Sequence, residues 1–237
     1  MVDFHTHILP GIDDGSQNTD ISIKMLALAA KQGITTLLAT PHFNIERISI
    51  EDFLNRRQQA LNLLNTAVLK ENISSPKIIL GAEVFLTHGL SANPDLKKLC
   101  IDGTNAILLE LPTREWSEWI YHEIYRICTF DIIPVIAHTE RYFGVKANRK
   151  NVLRLLDMDI CVQINSGNIG RFGYIKAVNI LFNSHKPIVL GSDTHNITSR
   201  KSEFDKGIRK IEKYYGKEVI YEILNSSNEL LNKNFSF

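Results

Sequence analysis

The first indication of the fold comes from one segment, Asp3-Phe-His-Thr-His-Ile-Leu-Pro-Gly-Ile-Asp-Asp-Gly15. Residues 2–5 predict a short strand, and His5 and His7 stand at its carboxyl end. Side chains two residues apart on a strand point to the same side, so the two imidazoles can bind one ion together. Polar side chains at the carboxyl end of a strand are typical of α/β barrels, whose active sites lie on that face.

Six further β-rich runs follow, and amphipathic stretches with helical spacing separate several of them. The first helix would have Met25 on its apolar face and Gly33 at its C-terminal cap, and Ser49-x-x-Asp52 would cap a long second helix. Other helices are predicted at about 115–128 and from about 204 onward. The pattern predicts a single α/β barrel with strands at residues 2–5, 34–40, 78–83, 106–111, 132–138, 160–165 and 187–192.

Composition and charge narrow the possible classes of protein. The 237 residues are 44% hydrophobic and 22% charged, a balance that predicts one globular domain over residues 1–237. A net charge of +1 without a basic stripe argues against nucleic-acid binding. No apolar run approaches the roughly 18 residues of a membrane span. Three cysteines cannot all pair, which favours a reducing compartment, and we expect a cytoplasmic protein.

Polar residues stand at the end of every predicted strand. His42 follows the second strand, and the next four strands end on Glu83, Glu110, His138 and Asn165. The last strand runs into Asp193-x-His195, which we expect to repeat the geometry of the first His-x-His pair. A lone histidine in such a position is usually a surface or hydrogen-bonded residue. Seven strands that all deliver such residues to one face predict a metal site.

The types of these residues indicate the kind of metal site. No cysteine takes part, and five imidazoles favour Mn, Zn or Fe over Mg and Ca. A carboxylate can bridge two ions through its two oxygens, so the site is expected to hold more than one ion. Three other histidines lack this placement. His122 and His185 are expected to be exposed, and His88 could line the mouth of the site.

These motifs together resemble the polymerase-and-histidinol-phosphatase (PHP) superfamily. Within it, the chain is most similar to the manganese-dependent protein-tyrosine phosphatases of bacterial capsule and exopolysaccharide operons, the CpsB/YwqE type. The resemblance extends over residues 3–200. It includes the opening segment, Thr40-Pro-His42, Gly81-Ala-Glu83, Leu109-Glu110, Val135-Ile-Ala-His-Thr-Glu-Arg-Tyr142, Gln163-Ile-Asn165 and Ser192-Asp-Thr-His-Asn196.

The resemblance implies a distorted (β/α)7 TIM-like barrel with a site for three Mn²⁺ ions, with helices from about residue 204 packed on the barrel. Zn²⁺ or Fe would be alternatives. Asp14 is chosen over its neighbour Asp13 because it precedes Gly15 directly, and the choice stays open. The implied ligands are His5, His7, Glu83 and Asp193 for the first ion, Glu83, Glu110 and His138 for the second, and Asp14, His42 and His195 for the third.

The resemblance also implies an activity and a partner. Arg141 and Arg200 match arginines that hold the phosphate, and an ion-bound hydroxide would attack phosphorus. The expected substrate is phosphotyrosine on the tyrosine-rich tail of a membrane-associated bacterial tyrosine kinase of polysaccharide biosynthesis, with no insertion into the membrane.

Three alternatives remain open from the sequence. The chain could hydrolyse histidinol phosphate or another small phosphomonoester on the same fold. An exonuclease or proofreading role is disfavoured by the absence of a basic surface. A protein that mainly binds and restrains a kinase would not need a complete set of metal ligands.

Overall fold

The computed structural model describes residues 1–233 and 235, and within them strands and helices alternate along the chain. The strands are β1 (Val2–Thr6), β2 (Thr36–Ala39), β3 (His42–Phe43), β4 (Lys77–Leu80), β5 (Glu83–Phe85), β6 (Ala106–Glu110), β7 (Ile133–Ile136), β8 (Cys161–Asn165) and β9 (Ile188–Gly191). The α-helices are α1 (Thr19–Lys31), α2 (Ile50–Glu71), α3 (Glu118–Thr129), α4 (Arg149–Leu155), α5 (Ile175–Phe182), α6 (Phe204–Tyr215) and α7 (Lys217–Leu231).

All seven predicted strands are present, but the second and third are each interrupted. The second breaks at Thr40–Pro41 into β2 and β3, because proline has no N–H to continue the ladder. The third breaks at residues 81–82 into β4 and β5. The ladder therefore divides into a three-stranded part, β1-β2-β4, and a six-stranded part, β3-β5-β6-β7-β8-β9, and all pairs are parallel.

The last strand returns to the first and closes the ring. The backbone N–H of His7 donates to the carbonyl of Thr194 at 3.0 Å, and that of Asp193 donates to the carbonyl of His5 at 2.8 Å. Thr6 and Thr194 form an isolated parallel bridge. Seven strand positions thus surround one axis, and the predicted distorted (β/α)7 barrel is confirmed. The distortion is clearest between β5 and β6, where short 3-10 turns, Leu90–Ala92 and Leu96–Leu99, replace an α-helix.

Strand β1 contains a bulge-like irregularity beside His5 and His7. Its pairing with β2 shifts between Asp3 and Thr6, where three steps along β1 match two along β2. An extra residue in a strand bends it and redirects side chains, and such bulges are common next to active sites. The shift allows Phe4 to pack in a buried apolar cluster while the next residue, His5, faces Gly191 of β9.

The predicted helix signals correspond to real caps. The Ser49 hydroxyl accepts a hydrogen bond from the Asp52 N–H at 3.1 Å and opens α2. Gly33, two residues after the end of α1, has a φ of 78°. The buried face of α2 includes Arg57 beside Phe53, Ala60 and Leu64, whereas Leu61 is only half-buried. Helices α4 and α5 were not predicted, since seven or eight residues are too few for a clear periodicity.

Two apolar clusters stabilise the barrel. The larger one lies between the strands and the surrounding helices. The smaller one uses alternate strand residues such as Leu108, Val135 and Val189, and it includes Leu230 of α7. Because strand side chains alternate, this second cluster lies on the opposite face of the strands, inside the ring. Helix α7 contacts β9 and β1 and contributes Leu230 to the interior, so the C-terminal helices pack on the barrel.

Two sequence-based expectations concern the cysteines and the membrane. Cys100, Cys128 and Cys161 are all free thiols. Cys161 is fully buried, and burial raises the pKa of its thiol. Among residues 1–233 and 235, no helix is both long and apolar enough to cross a lipid bilayer.

Gly191 is expected to be required where β9 meets β1. An added Cβ would lie 2.5 Å from the Cβ of His5 and 2.6 Å from Nε2 of Gln163, and both neighbours are fully buried. Gly191→Ala should therefore lower the free energy of unfolding by about 1–3 kcal/mol, the usual cost of overpacking. Urea unfolding of the metal-free protein would measure it without a contribution from metal binding.

Gly144→Ala is the matched control, since an added Cβ there meets no atom within 4 Å and the residue is exposed. It should change the free energy of unfolding by less than about 0.5 kcal/mol. Equal stability of the two variants would show that β9 and β1 do not approach each other this closely.

Candidate metal centre

The centre of the candidate site is Glu83, which is 1% exposed at the start of β5. Its Oε2 lies 3.1 Å from Nε2 of His5, 3.2 Å from Nε2 of His7 and 3.0 Å from Nδ1 of His42. Its Oε1 lies 2.9 Å from Nε2 of His138. One carboxylate therefore contacts four imidazoles that come from three other positions of the barrel. Burial acts to raise the pKa of Glu83, but these histidines lower it well below its usual range.

The remaining candidate residues lie around this carboxylate in three groups. His5 and His7 face Asp193, with Nε2–Oδ1 distances of 3.9 and 3.7 Å. Oε1 of Glu110 lies 3.8 Å from Nε2 of His138. The third group brings Oδ1 of Asp14 to 3.3 Å from both His42 Nε2 and His195 Nε2.

The structure thus brings together all nine residues that were predicted from the sequence. Two further contacts between these residues were not predicted from the sequence. A ligand atom of His7 lies within 4.8 Å of those of Asp14, His42 and His195, and His42 lies equally close to Glu83 and Glu110. The groups therefore share members, as expected for ions held close together.

Asp13 and Asp14 have different surroundings. Oδ2 of Asp13 lies 2.7 Å from Nδ1 of His7 and accepts the backbone N–H of His42 at 3.0 Å. A carboxylate on Nδ1 fixes the ring of a histidine and leaves Nε2 free to bind an ion. Asp14 is more exposed and faces His42 and His195. This geometry supports Asp14 as the ligand and gives Asp13 the role of orienting His7.

Gly15 explains why the segment turns sharply after Asp14. A Cβ at this position would lie 2.4 Å from the Cβ and the carbonyl oxygen of His7. Only glycine permits this approach without displacing His7. The Asp14-Gly15 pair therefore depends on close backbone packing against the His-x-His strand.

Gln163 orients two of the histidines, although no role was predicted for it. Its Oε1 lies 3.0 Å from Nδ1 of His5 and accepts the backbone N–H of His138 at 2.7 Å. Its Nε2 donates to Asn165 Oδ1 at 2.9 Å, and Asn165 Nδ2 donates to Asp193 Oδ2 at 3.0 Å. With its proton on Nδ1, His5 directs the Nε2 lone pair toward Glu83 and Asp193. The alternation of Gln163 and Asn165 on one face of β8 was the available signal.

Arg141 and Arg200 both contact Asp193. Nη2 of Arg141 forms a short hydrogen bond with Asp193 Oδ2, and Nη2 of Arg200 lies 3.2 Å from Oδ1. Nη1 of Arg200 also reaches Asp14 Oδ2 at 3.2 Å. Both guanidinium groups are part-exposed, so they lie at the mouth of the site and have donors available for an anionic ligand.

Glu140 anchors the turn that carries Arg141. The side chain is fully buried and accepts hydrogen bonds from Asn168 Nδ2 at 2.7 Å and from the backbone N–H of Asn165 at 3.3 Å. Burial raises the pKa of Glu140 to about 7. The 3-10 turn Thr139–Gly144 is therefore joined to the end of β8, which holds Arg141 over the site.

Two of the candidate ligands have unusual backbone conformations. His138 and Asp193 follow β7 and β9 with φ angles of 34° and 53°. Residues other than glycine rarely adopt a positive φ, and those that do are often found at functional sites. The expectation that Asp193-x-His195 repeats the strand geometry of His5-x-His7 is therefore wrong in detail. A left-handed turn after β9, rather than strand alternation, places Asp193 and His195.

The side chains fit divalent cations. Oε2 of Glu83 and Nε2 of His195 are buried and make no hydrogen bond to any described residue, although other polar atoms lie close by. Burial, together with the nearby Glu83 carboxylate, raises the pKa of Glu110 to about 7. Buried carboxylates and uncharged imidazole lone pairs that point at one another are unfavourable unless a cation lies between them. The donors are all nitrogen and oxygen, which suits Mn, Zn or Fe.

The three other histidines lie outside the centre. His122 and His185 are exposed, as predicted. His88 is also exposed, and its ring lies 5.9 Å from that of Trp119 in a depression that none of the nine candidate ligands lines.

Comparisons with known proteins identify the family of the chain. Residues 1–232 match the family model "Capsular polysaccharide synthesis, CpsB/CapC". The tyrosine-protein phosphatase YwqE of Bacillus subtilis is 33% identical over 99% of this chain and 92% of its own length. The tyrosine-protein phosphatase CpsB of Streptococcus pneumoniae is 29% identical over 94% of each chain.

A solved structure agrees with these sequence matches. It is one of the crystal structures of YwqE from Bacillus subtilis and CpsB from Streptococcus pneumoniae, which are described together as unique metal-dependent tyrosine phosphatases. It superposes with a TM-score of 0.87 and 28% identity, over 100% of this chain and 96% of the other. The family match over nearly the full length, and the barrel shared with these enzymes, lead to one conclusion: the chain belongs to the CpsB/CapC family of capsular polysaccharide synthesis.

Proposed function

We propose that this protein is a metal-dependent protein-tyrosine phosphatase, a phosphoric monoester hydrolase. Its substrate would be phosphotyrosine on the tyrosine-rich tail of a membrane-associated bacterial tyrosine kinase of capsular or exopolysaccharide biosynthesis. The observation that carries the proposal is the contact of the Glu83 carboxylate with four imidazoles. The relatives named as tyrosine phosphatases support the choice of substrate.

The proposed cofactor is a cluster of three Mn²⁺ ions. The three overlapping groups of side chains support this number of ions, and the nitrogen and oxygen donor set is compatible with Mn, Zn or Fe. The choice of Mn²⁺ among these follows the family resemblance. The proposed ligands are Glu83 and the eight candidate residues grouped around it, and Glu83 would be shared between two ions. We further propose that the reaction takes place in the cytoplasm, because three free thiols suit a reducing compartment.

Bound ions would supply an acidified water as the nucleophile and positive charge for the phosphoryl oxygens. The protein's own residues would prepare the site for this chemistry. Asp13 and Gln163 hold the rings of His7 and His5 so that both Nε2 atoms face Glu83. No cysteine nucleophile is required, and both Cys100 and Cys161 are buried.

The two arginines would bind the phosphate. Each guanidinium can donate two parallel hydrogen bonds to phosphoryl oxygens and stabilise charge that develops in the transition state. In the structure these donors contact Asp193, so binding of substrate would exchange a carboxylate partner for a phosphoryl partner. The leaving phenolate needs little protonation, since the pKa of free tyrosine is about 10.

Activity should require bound metal and should be higher on an aryl phosphate ester than on an alkyl one. Chelation should abolish hydrolysis of a phosphotyrosyl peptide, and Mn²⁺ should restore it at least as well as Zn²⁺, because the donor set lacks thiolates. Histidinol phosphate should be a much poorer substrate than the peptide in the same assay. Elemental analysis must accompany each measurement of phosphate release. Full activity of a verified metal-free preparation, or a preference for histidinol phosphate, would contradict the proposal.

Glu83→Ala should cost more activity than His42→Ala. Glu83 contacts four histidines and would serve two ions, whereas His42 is at the edge of the site with 39% of its side chain exposed. Bound metal per protein should fall further in Glu83→Ala than in His42→Ala. The measurement is metal content together with kcat/KM for both variants. If both kept near-wild-type metal content and activity, the assignment of Glu83 as a bridging ligand would be wrong.

Arg141→Ala should lower kcat/KM by roughly 10²–10³-fold, or about 3–4 kcal/mol, the typical loss for one positioned transition-state donor. Bound metal should stay unchanged, because a guanidinium is not a metal ligand. Arg141→Lys keeps the charge but loses the planar fork, so it should recover only part of the loss. Activity that falls only in step with bound metal, or does not fall, would remove Arg141 from the phosphate site.

A further inference from the structure

A groove of about 660 Å³ opens directly beside the proposed ligands Asp14, His42 and Glu110. Its volume is within the roughly 300–1,000 Å³ that is common for ligand sites. The groove extends away from the metal centre toward the loop after β3 and the first turns of α2, where Arg47 and Arg56 line it. A phosphate held at the metal centre would therefore have the rest of its substrate at the entrance of this groove.

The lining of the groove is apolar between its two ends. Ile48 and Phe85 lie along it and are part-exposed, and the buried rings of Phe43 and Phe53, 4.9 Å apart, pack behind them in the core. Aromatic and aliphatic side chains of this kind are suitable for packing against a phenyl ring. This part of the groove could accept the ring of a phosphotyrosine whose phosphate points at Asp14 and His42.

The charges of the groove are separated by sign. Its acidic members, Asp13, Asp14 and Glu110, all belong to the end at the metal centre. Arg47 and Arg56 line the part beyond, both are exposed, and neither guanidinium forms an ion pair or a hydrogen bond with any residue that the structure describes. Most exposed and unpaired arginines are simply solvated. These two differ because they border the same cavity as the proposed active site.

Both arginines are carried by well-anchored backbone. Arg56 lies in α2, whose next residue, Arg57, is buried and donates to the Gly81 carbonyl at 2.7 Å. Arg47 lies in a turn in which its own N–H donates to the Asn44 carbonyl at 2.9 Å. The Ser49 cap fixes the start of α2 between them. The fold thus sets where the backbone of Arg47 and Arg56 lies relative to the metal centre, and their side chains reach the groove from there.

We propose that this groove binds the polypeptide around the phosphotyrosine and that Arg47 and Arg56 select acidic residues beside it. The inference rests on the proposed phosphatase function and specifies its substrate as an acid-flanked phosphotyrosyl segment. Arginine binds carboxylates through its planar fork, and an exposed pair contributes modestly to affinity. Two such pairs would convert a general aryl phosphatase into one that prefers acidic peptides.

The test compares two phosphotyrosyl peptides that differ only in Glu or Gln on both sides of the phosphotyrosine. The wild-type protein loaded with Mn²⁺ should favour the Glu peptide in kcat/KM by about tenfold, with roughly threefold from each arginine. Arg47→Gln and Arg56→Gln should each reduce this ratio, and the double variant should bring it close to one. High salt should also reduce the wild-type ratio, because exposed ion pairs are screened.

Arg126→Gln is the matched control, because Arg126 is an exposed arginine on α3 that lines a different depression. It should keep the wild-type ratio. Dissociation constants for the same two peptides with a non-hydrolysable phosphonate should show the same dependence on Arg47 and Arg56. This second measurement detects selection at the binding step independently of turnover.

The possible outcomes separate the two proposals. Equal hydrolysis of both peptides by the wild-type protein, or an unchanged ratio in the double variant, would overturn the inference and leave the phosphatase function standing. Failure of the metal-loaded protein to hydrolyse either peptide would overturn the phosphatase function and, with it, the inference. A ratio that falls equally in Arg126→Gln would attribute the preference to overall charge and would also overturn the inference.

Discussion

Glu83 places one buried carboxylate within 3.2 Å of nitrogens from His5, His7, His42 and His138. Burying a charged carboxylate without full hydrogen bonding costs several kcal/mol, and its Oε2 makes no hydrogen bond to any described residue. Divalent cations between these groups would offset the cost. The barrel therefore has to bring strand ends from different parts of the chain to one point. Much of the structure serves to bring these ends together.

Several local features serve this convergence. The extra residue in β1 leaves His5 facing the site, and the hydrogen bonds between β1 and the segment after β9 bring Asp193 beside it. Gly191 allows the two strands to approach, because a side chain there would collide with His5 and Gln163. The amide of Gln163 then fixes the His5 ring and the backbone of His138. The same packing of β8, β9 and β1 thus closes the barrel and orients the His5 ring.

The sequence allowed the barrel and eight of the nine proposed ligands to be predicted, because strand alternation and parallel order depend on local pattern. The ninth, Asp14, lies in the loop after β1 and followed only from the family resemblance. Features that depend on contacts between distant segments were not accessible in the same way. The interruption at residues 81–82 requires the partner strands to be known, and the sequence offered no proline there as a signal. Gln163 and Asp13 were not recognised as orienting residues, since only the fold shows which imidazole each one meets. No local pattern distinguishes Arg47 and Arg56 from other arginines, and only the fold shows that they line the same cavity as His42.

The most direct test of the central claim is anomalous diffraction at the manganese edge from a crystal of the Mn²⁺-loaded protein. Three peaks are expected around the Glu83 side chain, with neighbouring ions about 3.5–4 Å apart as in two-metal hydrolase sites. One peak should lie among His5, His7 and Asp193, one beside Glu110 and His138, and one among Asp14, His42 and His195. A single peak, or peaks that leave Glu83 without a metal contact, would contradict the account.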